Sequence, residues 1–356
     1  MVQTLSKVDE TKCDTNPIRI LHLSDLHFTS STPVPARLQW LLDDLKQGSG
    51  LGFNELDYLV ISGDFTDKGC VDGFEKAYEF VSGLTHAFGL SAERCIFVPG
   101  NHDVCDLHES YDWRDKPDGL KEGEWVKQGD IILARNPEKY QLRLKPFSEL
   151  FFHKFIQRPY PLDYATQGIS IPFWETCIQF LALNSCWQVD QFHRKRSSLH
   201  VEAVAYAIKQ AQEQEDAARK TGQLPAGKPL LRIAVWHHAV AGPEQMKDID
   251  FIGNLQKNYV SLALHGDVHE IRREMIGYWH SKKLHVIGSG SFGARASDRQ
   301  ESEPRLYNVL EIERDLKSAR VHTRSQPKPD GPWKGLNEWP RTDGGDGAVS
   351  YYDIKL

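Results

Sequence analysis

The chain lacks a disulfide framework, a membrane span and a dominant charge sign, and each lack removes a class of function. Its six cysteines, Cys13, Cys70, Cys95, Cys105, Cys177 and Cys186, contain no CxxC pair and sit mostly within or beside apolar runs. Reduced, buried thiols fit that distribution better than a disulfide scaffold. No stretch approaches the roughly 18 consecutive apolar residues that a membrane span needs, so no membrane partner is expected. With 43 basic and 49 acidic side chains the formal charge is −6, which argues against coating nucleic acid or an anionic membrane through a global field. A local basic groove stays open. The first 17 residues are polar, with Asp9, Glu10 and Asp14 and no apolar centre, so neither a secretory nor a transit signal is expected. A cytoplasmic protein is the expectation.

What is present is an alternation of periods. Residues 18–23, 58–61 and 95–98 are apolar runs of strand length. The segments between them carry Leu38, Leu41, Leu42 and Leu45, then Phe74, Tyr78, Phe80, Val81 and Leu84, at helical spacing. This β-α-β-α-β order predicts parallel neighbours. The alternation stops over an insertion, residues 104–172, which holds Trp113, Trp125, several prolines and an amphipathic helix around residues 140–155. A connection that long reads as a cap or subdomain. Beyond it come strands at 177–183 and 230–235, a helix over about 202–219 and another over 245–257. The short strands at 260–264, 284–287, 306–312 and 319–323 suggest a second, more antiparallel sheet. Residues 325–356, rich in Pro, Gly and Asp, read as an irregular strap returning as an edge strand at 351–356. The organisation is one domain over 18–324, a polar leader at 1–17, and the strap.

Five segments, in order, carry metal-binding side chains from what read as strand ends. They are Asp25-Leu26-His27, Gly63-Asp64-Phe65-Thr66-Asp67, Gly100-Asn101-His102-Asp103, Trp236-His237-His238 and Gly266-Asp267-Val268-His269. Loops beyond the carboxyl ends of strands are where α/β folds collect their chemistry. Oxygen ligands combined with imidazoles suit Mn, Fe or Zn. Singly, a DxH or an HH dipeptide means little. Five in a fixed order, each after a strand, point to a two-metal hydrolytic centre. His237 and His238 cannot both face one ion from adjacent extended positions, and His22 reads as a satisfied core histidine.

These segments resemble the calcineurin-like metallophosphoesterase superfamily, whose pattern is DxH, GDxxD, GNH(D/E), a His segment and GHxH. The resemblance runs from about residue 18 to 312. It implies an αββα four-layer sandwich of two mixed sheets with an inserted cap segment, and two divalent ions, Mn, Fe or Zn. Asp25, His27, Asp64 and His269 would hold one ion; Asp64, Asn101 and His237 would hold the other, with Asp64 bridging, since a carboxylate has lone pairs to spare. The fifth segment departs from the pattern: Asp267 stands where the family carries a His. Either Asp267 coordinates and shifts preference toward harder ions, the favoured reading, or the second site is weak. His265, one position off, should point elsewhere. The resemblance implies His102 as general acid at the scissile phosphate, a role worth about 10² to 10⁴ in rate. Asp67 would orient it, with Asp103 the local alternative.

Residues 20–28 most resemble the small phosphodiesterase branch that includes class III cyclic-nucleotide phosphodiesterases. Lys68-Gly69 replaces the Arg-Gly of the protein-phosphatase branch. The implied function is a metal-dependent phosphoric ester hydrolase, in first place a phosphodiesterase attacking in line with a metal-bridging hydroxide, its substrate a small-molecule or nucleotide phosphodiester. The alternatives are a DNA or RNA nuclease, and a binding scaffold that has lost catalysis, which Asp267 keeps open. The basic run 193–196 reads as a solvated loop, with contact to a polyanionic substrate as the lesser reading. Residues 288–294 read as a turn at the site rim. Trp113, Trp125 and Trp174 read as cap packing, with base stacking second.

Overall fold

Strand and helix alternate from Ile18 onward because apolar period-2 runs give way to 3.6-period stretches. The computed structural model describes residues 16–105, 110–242, 245–246, 248–268, 272–279, 282–293, 304–328, 331–341 and 345–356, with the backbone alone at 272–279 and 282. Most of the expected leader, and Cys13 with it, lies outside them. In chain order the elements are β1 (Ile18–Leu23), α1 (Val34–Lys46), β2 (Tyr58–Ser62), α2 (Val71–Phe88) and β3 (Cys95–Val98). The inserted region contributes β4 (Tyr111–Arg114), β5 (Trp125–Gln128), β6 (Ile131–Arg135), α3 (Pro137–Gln141) and α4 (His153–Ile156). Then follow β7 (Gly168–Phe173), β8 (Ile178–Leu183), α5 (Val201–Thr221), β9 (Leu231–Val235), α6 (Phe251–Lys257), β10 (Val260–His265), β11 (Arg272–Trp279) and β12 (Lys282–Gly288). The chain closes with β13 (Arg305–Ile312), β14 (Ser318–Gln326), β15 (Lys334–Gly335), β16 (Trp339–Pro340), β17 (Ala348–Val349) and β18 (Tyr351–Lys355).

Two mixed sheets result. The first runs β15-β14-β13-β1-β2-β3, with β18 also on β14; the second runs β11-β12-β10-β9-β8-β7. The β1-β2-β3 neighbours are parallel, as the alternation predicts. Faces separate by parity. Ile18 and Ile20 of β1 and Tyr58 and Val60 of β2 join Phe180, Ile233 and Leu264 between the sheets. Leu21, Leu23, Leu59 and Ile61 face outward, under α1, α2 and Phe147 to Phe152. On the far side, Leu181, Ala234 and Ala263 carry α5 and α6. Helices cover both outer faces, so these strands are buried on both sides and read as continuous apolar runs. The layering is the αββα arrangement expected.

Three expectations need correction. The late strands do not form their own antiparallel sheet: β10 and β12 run parallel beside β9, whereas β13 pairs antiparallel with β1 and continues the first sheet. Composition alone cannot assign a strand to a sheet, since both carry the same apolar signal. The helix over 245–257 shrinks to Phe251–Lys257; Asp248 Oδ1 accepts the Asp250 N–H at 2.9 Å, a local turn that competes with helix. The amphipathic stretch of the insertion is wound in pieces: α3, a 3₁₀ turn at Leu142–Leu144, a π-helical Phe147–Phe152, then α4. Pro146 supplies the cause, lacking an N–H and crowding the preceding turn. The insertion also contains a three-stranded sheet, β4-β6-β5, that alternation did not reveal.

The insertion is fastened to the first sheet by aromatics. Phe151 lies 4.4 Å from Phe65 and 5.1 Å from Phe97, ring centre to ring centre, and Phe65 belongs to the Asp64 loop. Truncating a fully buried ring costs transfer energy plus a cavity. Phe151→Ala should lower unfolding free energy by about 3 to 5 kcal/mol in a denaturant titration.

His22 is the core histidine expected, fully buried and 2.9 Å from Ser62 Oγ. Burial, helped by the charge of His265, pushes its imidazole down to about 3 from 6.5. A folded pKa below the unfolded one means the unfolded chain binds the extra proton, so the contribution is complete above 6.5 and is lost as pH falls toward 3. Between pH 7 and 4 the wild type should lose about 3 kcal/mol more stability than His22→Gln. Parallel pH dependences for the two proteins would contradict this.

Candidate metal centre

The loops after β1, β2, β3, β9 and β10 converge at one edge of the two sheets. Their backbones are strained there: Asp25, His27, Asp64 and Asp267 have φ of 54°, 46°, 57° and 53°. Left-handed conformations of non-glycine residues cost on the order of 1 to 3 kcal/mol each and persist only where neighbours over-determine them. The neighbours are visible. Asp25 and His27 donate their N–H groups to Gly63 O and Asp64 O, each at 3.0 Å, so the first two loops are zipped together. Gly266 N–H donates to His237 O at 2.8 Å and Asp267 N–H to Asp25 Oδ2 at 3.2 Å, which ties the fifth loop to the fourth and first. Glycine is required at position 100, where a Cβ would stand 2.1 Å from Asp64 Oδ1.

Asp64 stands at the middle. Its Oδ1 accepts the His102 N–H at 2.8 Å, and its Oδ2 lies 3.7 Å from His27 Nε2 and 3.4 Å from His237 Nε2. One carboxylate oxygen thus faces imidazoles from both sides. Asp25 Oδ1 lies 3.7 Å from His27 Nε2, and Asp267 Oδ1 lies 4.0 Å from His237 Nε2. Two groups emerge whose ligand atoms all lie within 4.8 Å of one another: Asp25, Asp64 and His237, and His27, Asp64 and His102. The fit to a cation can be read from one contact. His237 Nδ1 sits 2.6 Å from Ser62 O, so the ring proton belongs there, and Nε2 presents a lone pair 3.1 Å from Asn101 Oδ1. Two acceptors facing each other at that distance need a positive charge between them. A proton does this: burial depresses the basicity of both rings, but hydrogen bonding to Asp25 and the charge of Asp64 outweigh it at His27, and the charge of Asp64 with hydrogen bonding to it outweighs it at His237. His27 is raised to about 9 and His237 well above 6.5. Burial likewise pushes the Asp25 and Asp64 carboxyls up, and the histidines more than reverse it, holding both below the ordinary carboxylate range. The donor set therefore fits divalent cations.

The remaining candidates separate clearly. His102 Nδ1 lies 3.2 Å from Asp67 Oδ1, and its ring meets the His27 ring edge-on at 4.7 Å. Asp103, the alternative partner for His102, is turned away: fully buried, it accepts the Thr66 N–H at 3.1 Å and the Gly100 N–H at 2.8 Å. It joins the second loop to the third. Burial and the Asp64 charge, against those two N–H bonds, push its carboxyl up to about 7. His238 is buried with Nδ1 2.8 Å from Ser185 Oγ, and His265 turns Nδ1 to Gly266 O. His269 lies outside the described residues. Sequence reasoning missed Ser62 and Ser185. Ser62 acts through its carbonyl, which no side-chain pattern signals; Ser185 Oγ accepts the N–H groups of His237 and His238, each at 3.2 Å. In the expected rim turn, Phe292 and Gly293 spend their N–H groups on Ser24 O and Asp25 O, so they are not a phosphate cradle; Ala294 lies outside the described residues. Trp174 packs at the inter-sheet core, but Trp113 is 74% exposed and packs no cap.

Two stacked mixed sheets with Asp, Asn and His side chains gathered at the strand ends define the class: a metal-binding phosphoesterase scaffold. The chain matches the family model for the calcineurin-like phosphoesterases over residues 18–270, and it belongs to that family, whose chemistry is metal-dependent phosphoester hydrolysis. A curated relative, the uncharacterized metallophosphoesterase-like protein YydB of Bacillus subtilis (strain 168), is 22% identical over 263 residues, 71% of this chain and 49% of the relative. This chain spans about half the length of that relative. Among solved structures, the purple acid phosphatase PPD1 from yellow lupin (Lupinus luteus) seeds is similar with a TM-score of 0.49 at 12% identity, over 96% of this chain and 54% of that one. Vacuolar Protein Sorting 29 from Cryptosporidium parvum is similar with a TM-score of 0.41 at 10% identity, over 96% and 100%. No helix among the described residues is long and apolar enough to cross a membrane.

Because Asp64 Oδ2 faces both imidazoles, Asp64→Asn should weaken Mn binding by more than about 100-fold, beyond what loss of an outer hydrogen-bond partner costs. Calorimetric titration of metal-free protein reads this directly. An affinity within about tenfold of the wild type would show that Asp64 is no ligand.

Proposed function

We propose that the chain hydrolyses phosphodiesters with the help of two divalent ions, Mn, Fe or Zn, taking small-molecule or nucleotide diesters as substrate. Asp25, His27, Asp64 and His269 would hold one ion, and Asp64, Asn101, His237 and Asp267 the other. When bound, such a pair polarises the phosphoryl oxygen and makes water a stronger nucleophile near neutral pH. The observation that carries the reading is the placement of His102. Asp67 fixes its Nδ1, so Nε2 is left for substrate, and its side chain is 35% exposed beside the buried cluster. In the reaction, a water oxygen bonds to phosphorus as the bond to the leaving oxygen breaks. The proton on His102 Nε2 passes to that oxygen, and the water's proton goes to solvent. Asp67 keeps the ring in the orientation and tautomer this transfer needs.

A pocket of about 310 Å³ beside His102, lined also by Lys68, Asn101, Val104, Cys105, Val189, Asp190 and Arg194, offers room for a leaving group. Preference for a diester over a phosphoprotein rests on the resemblance of residues 20–28 and on Lys68-Gly69 in place of Arg-Gly. A cytoplasmic setting belongs to the same proposal, supported by the buried thiols Cys95, Cys177 and Cys186.

The test is turnover of bis-p-nitrophenyl phosphate, p-nitrophenyl phosphate and single-stranded DNA with added Mn. The first should be the best substrate of the three. His102→Ala should bind Mn as the wild type does and lose about 10² or more in kcat. Loss of Mn binding in that variant would make His102 a ligand, and no hydrolysis by Mn-loaded wild type would favour a scaffold.

A further inference from the structure

The basic run at residues 193–196 divides by role. His193 Nδ1 lies 3.2 Å from Asp190 Oδ1, and Arg196 Nη1 donates to Gly123 O at 2.9 Å. Arg194, by contrast, is exposed, and among the described residues it has no ion pair or hydrogen bond. It lines the pocket that contains His102 and Asn101, and Lys68 lines the same pocket. Lys68 too is exposed with no such partner among the described residues. Its backbone is left-handed, with φ of 57°, and the next residue's N–H donates to His102 O at 2.6 Å. The Lys68 position is therefore tied to the His102 loop.

The carboxylate lining this pocket, Asp190, does not balance the two cations. Tyr111 and Tyr140 hydroxyls donate to its Oδ2 at 2.7 and 2.8 Å, and the N–H groups of Phe192 and His193 donate to its Oδ1 at 2.9 and 2.8 Å. Its side chain has no exposure. Those bonds do something else: Tyr111 and Tyr140 belong to the insertion, so Asp190 anchors the loop that carries Arg194. Arg143, also of the insertion, donates to Val189 O and Trp187 O and fixes the same loop. Two exposed cations without partners among the described residues line one pocket beside His102, so an anionic group entering that pocket meets positive charge that no protein carboxylate neutralises.

We infer that Lys68 and Arg194 form a subsite for a second anionic group on the leaving side of the substrate. The preferred substrate class is then a phosphodiester that carries a further phosphate next to the scissile one, as a terminally phosphorylated nucleotide does. This rests on the diester hydrolysis proposed above and adds a charge requirement to it.

The experiment compares kcat/KM for the thymidine dinucleotide TpT with its 3′- and 5′-phosphorylated forms, using the Mn-loaded protein and bis-p-nitrophenyl phosphate as reference. At low ionic strength one phosphorylated dinucleotide should exceed TpT by about tenfold or more, and the advantage should shrink as salt screens exposed charges. Arg194→Glu should bring the ratio to one or below, and Arg194→Lys should keep most of it. Equal kcat/KM for all three dinucleotides in the wild type, or a ratio indifferent to Arg194→Glu, overturns the subsite and leaves diester hydrolysis standing. Hydrolysis of the reference with no dinucleotide turned over overturns it as well. Failure of the reference together with every dinucleotide removes the diester reading itself, and the subsite with it.

Discussion

Three carboxylates and two imidazoles are brought together at Asp64 in a place where water is largely excluded, and the structure around them serves to keep that arrangement from flying apart. Asp25 and Asp64 are 2% and 1% exposed. Burying like charges is costly unless cations or hydrogen-bond donors compensate. The backbone supplies part of the compensation through the N–H groups of His102 and Asp267, and the imidazoles of His27 and His237 supply the rest by holding protons. The centre is thus built for cation binding by the same field that perturbs its titration.

Holding the cluster demands strain and close approach. Four of the gathered residues sit in left-handed backbone, and Gly100 lets the third loop touch Asp64 without a side chain between. Asp103 does its work beneath the site, stitching the Asp64 loop to the His102 loop through two N–H bonds. Such residues look catalytic in sequence because they belong to the motifs, and their contribution is geometric. The insertion plays a comparable part at larger scale. Its aromatic helix packs against Phe65 and Phe97, and its tyrosines seat Asp190, so the Asp64 loop and the Asp190 side of the pocket beside His102 both lean on it.

Asp267 shows how a departure from the family pattern is accommodated. Its left-handed backbone aims an oxygen at His237 from 4.0 Å while its N–H contacts Asp25. A carboxylate there adds negative charge to an already acidic cluster.

The apolar runs and their helical intervals were enough to predict the parallel β1-β2-β3 unit, because strands buried on both faces advertise themselves by composition, while the αββα layering came from the resemblance of the motifs. The five segments pointed to one site because ligand side chains after strands must meet at the strand ends of a shared sheet edge. Three matters lay beyond the sequence. Which sheet β10, β12 and β13 join is decided by pairing: β10 and β12 pair locally beside β9, whereas β13 pairs with β1 nearly 300 residues away, and apolar content is the same in either sheet. Whether Asp67 or Asp103 orients His102 depends on side-chain direction, which sequence proximity misjudges. The separation of Arg194 from His193 and Arg196 arises from loop packing against the insertion: four consecutive residues of like character acquire a buried carboxylate, open pocket, solvent and a backbone carbonyl as their surroundings, and only the folded chain assigns them.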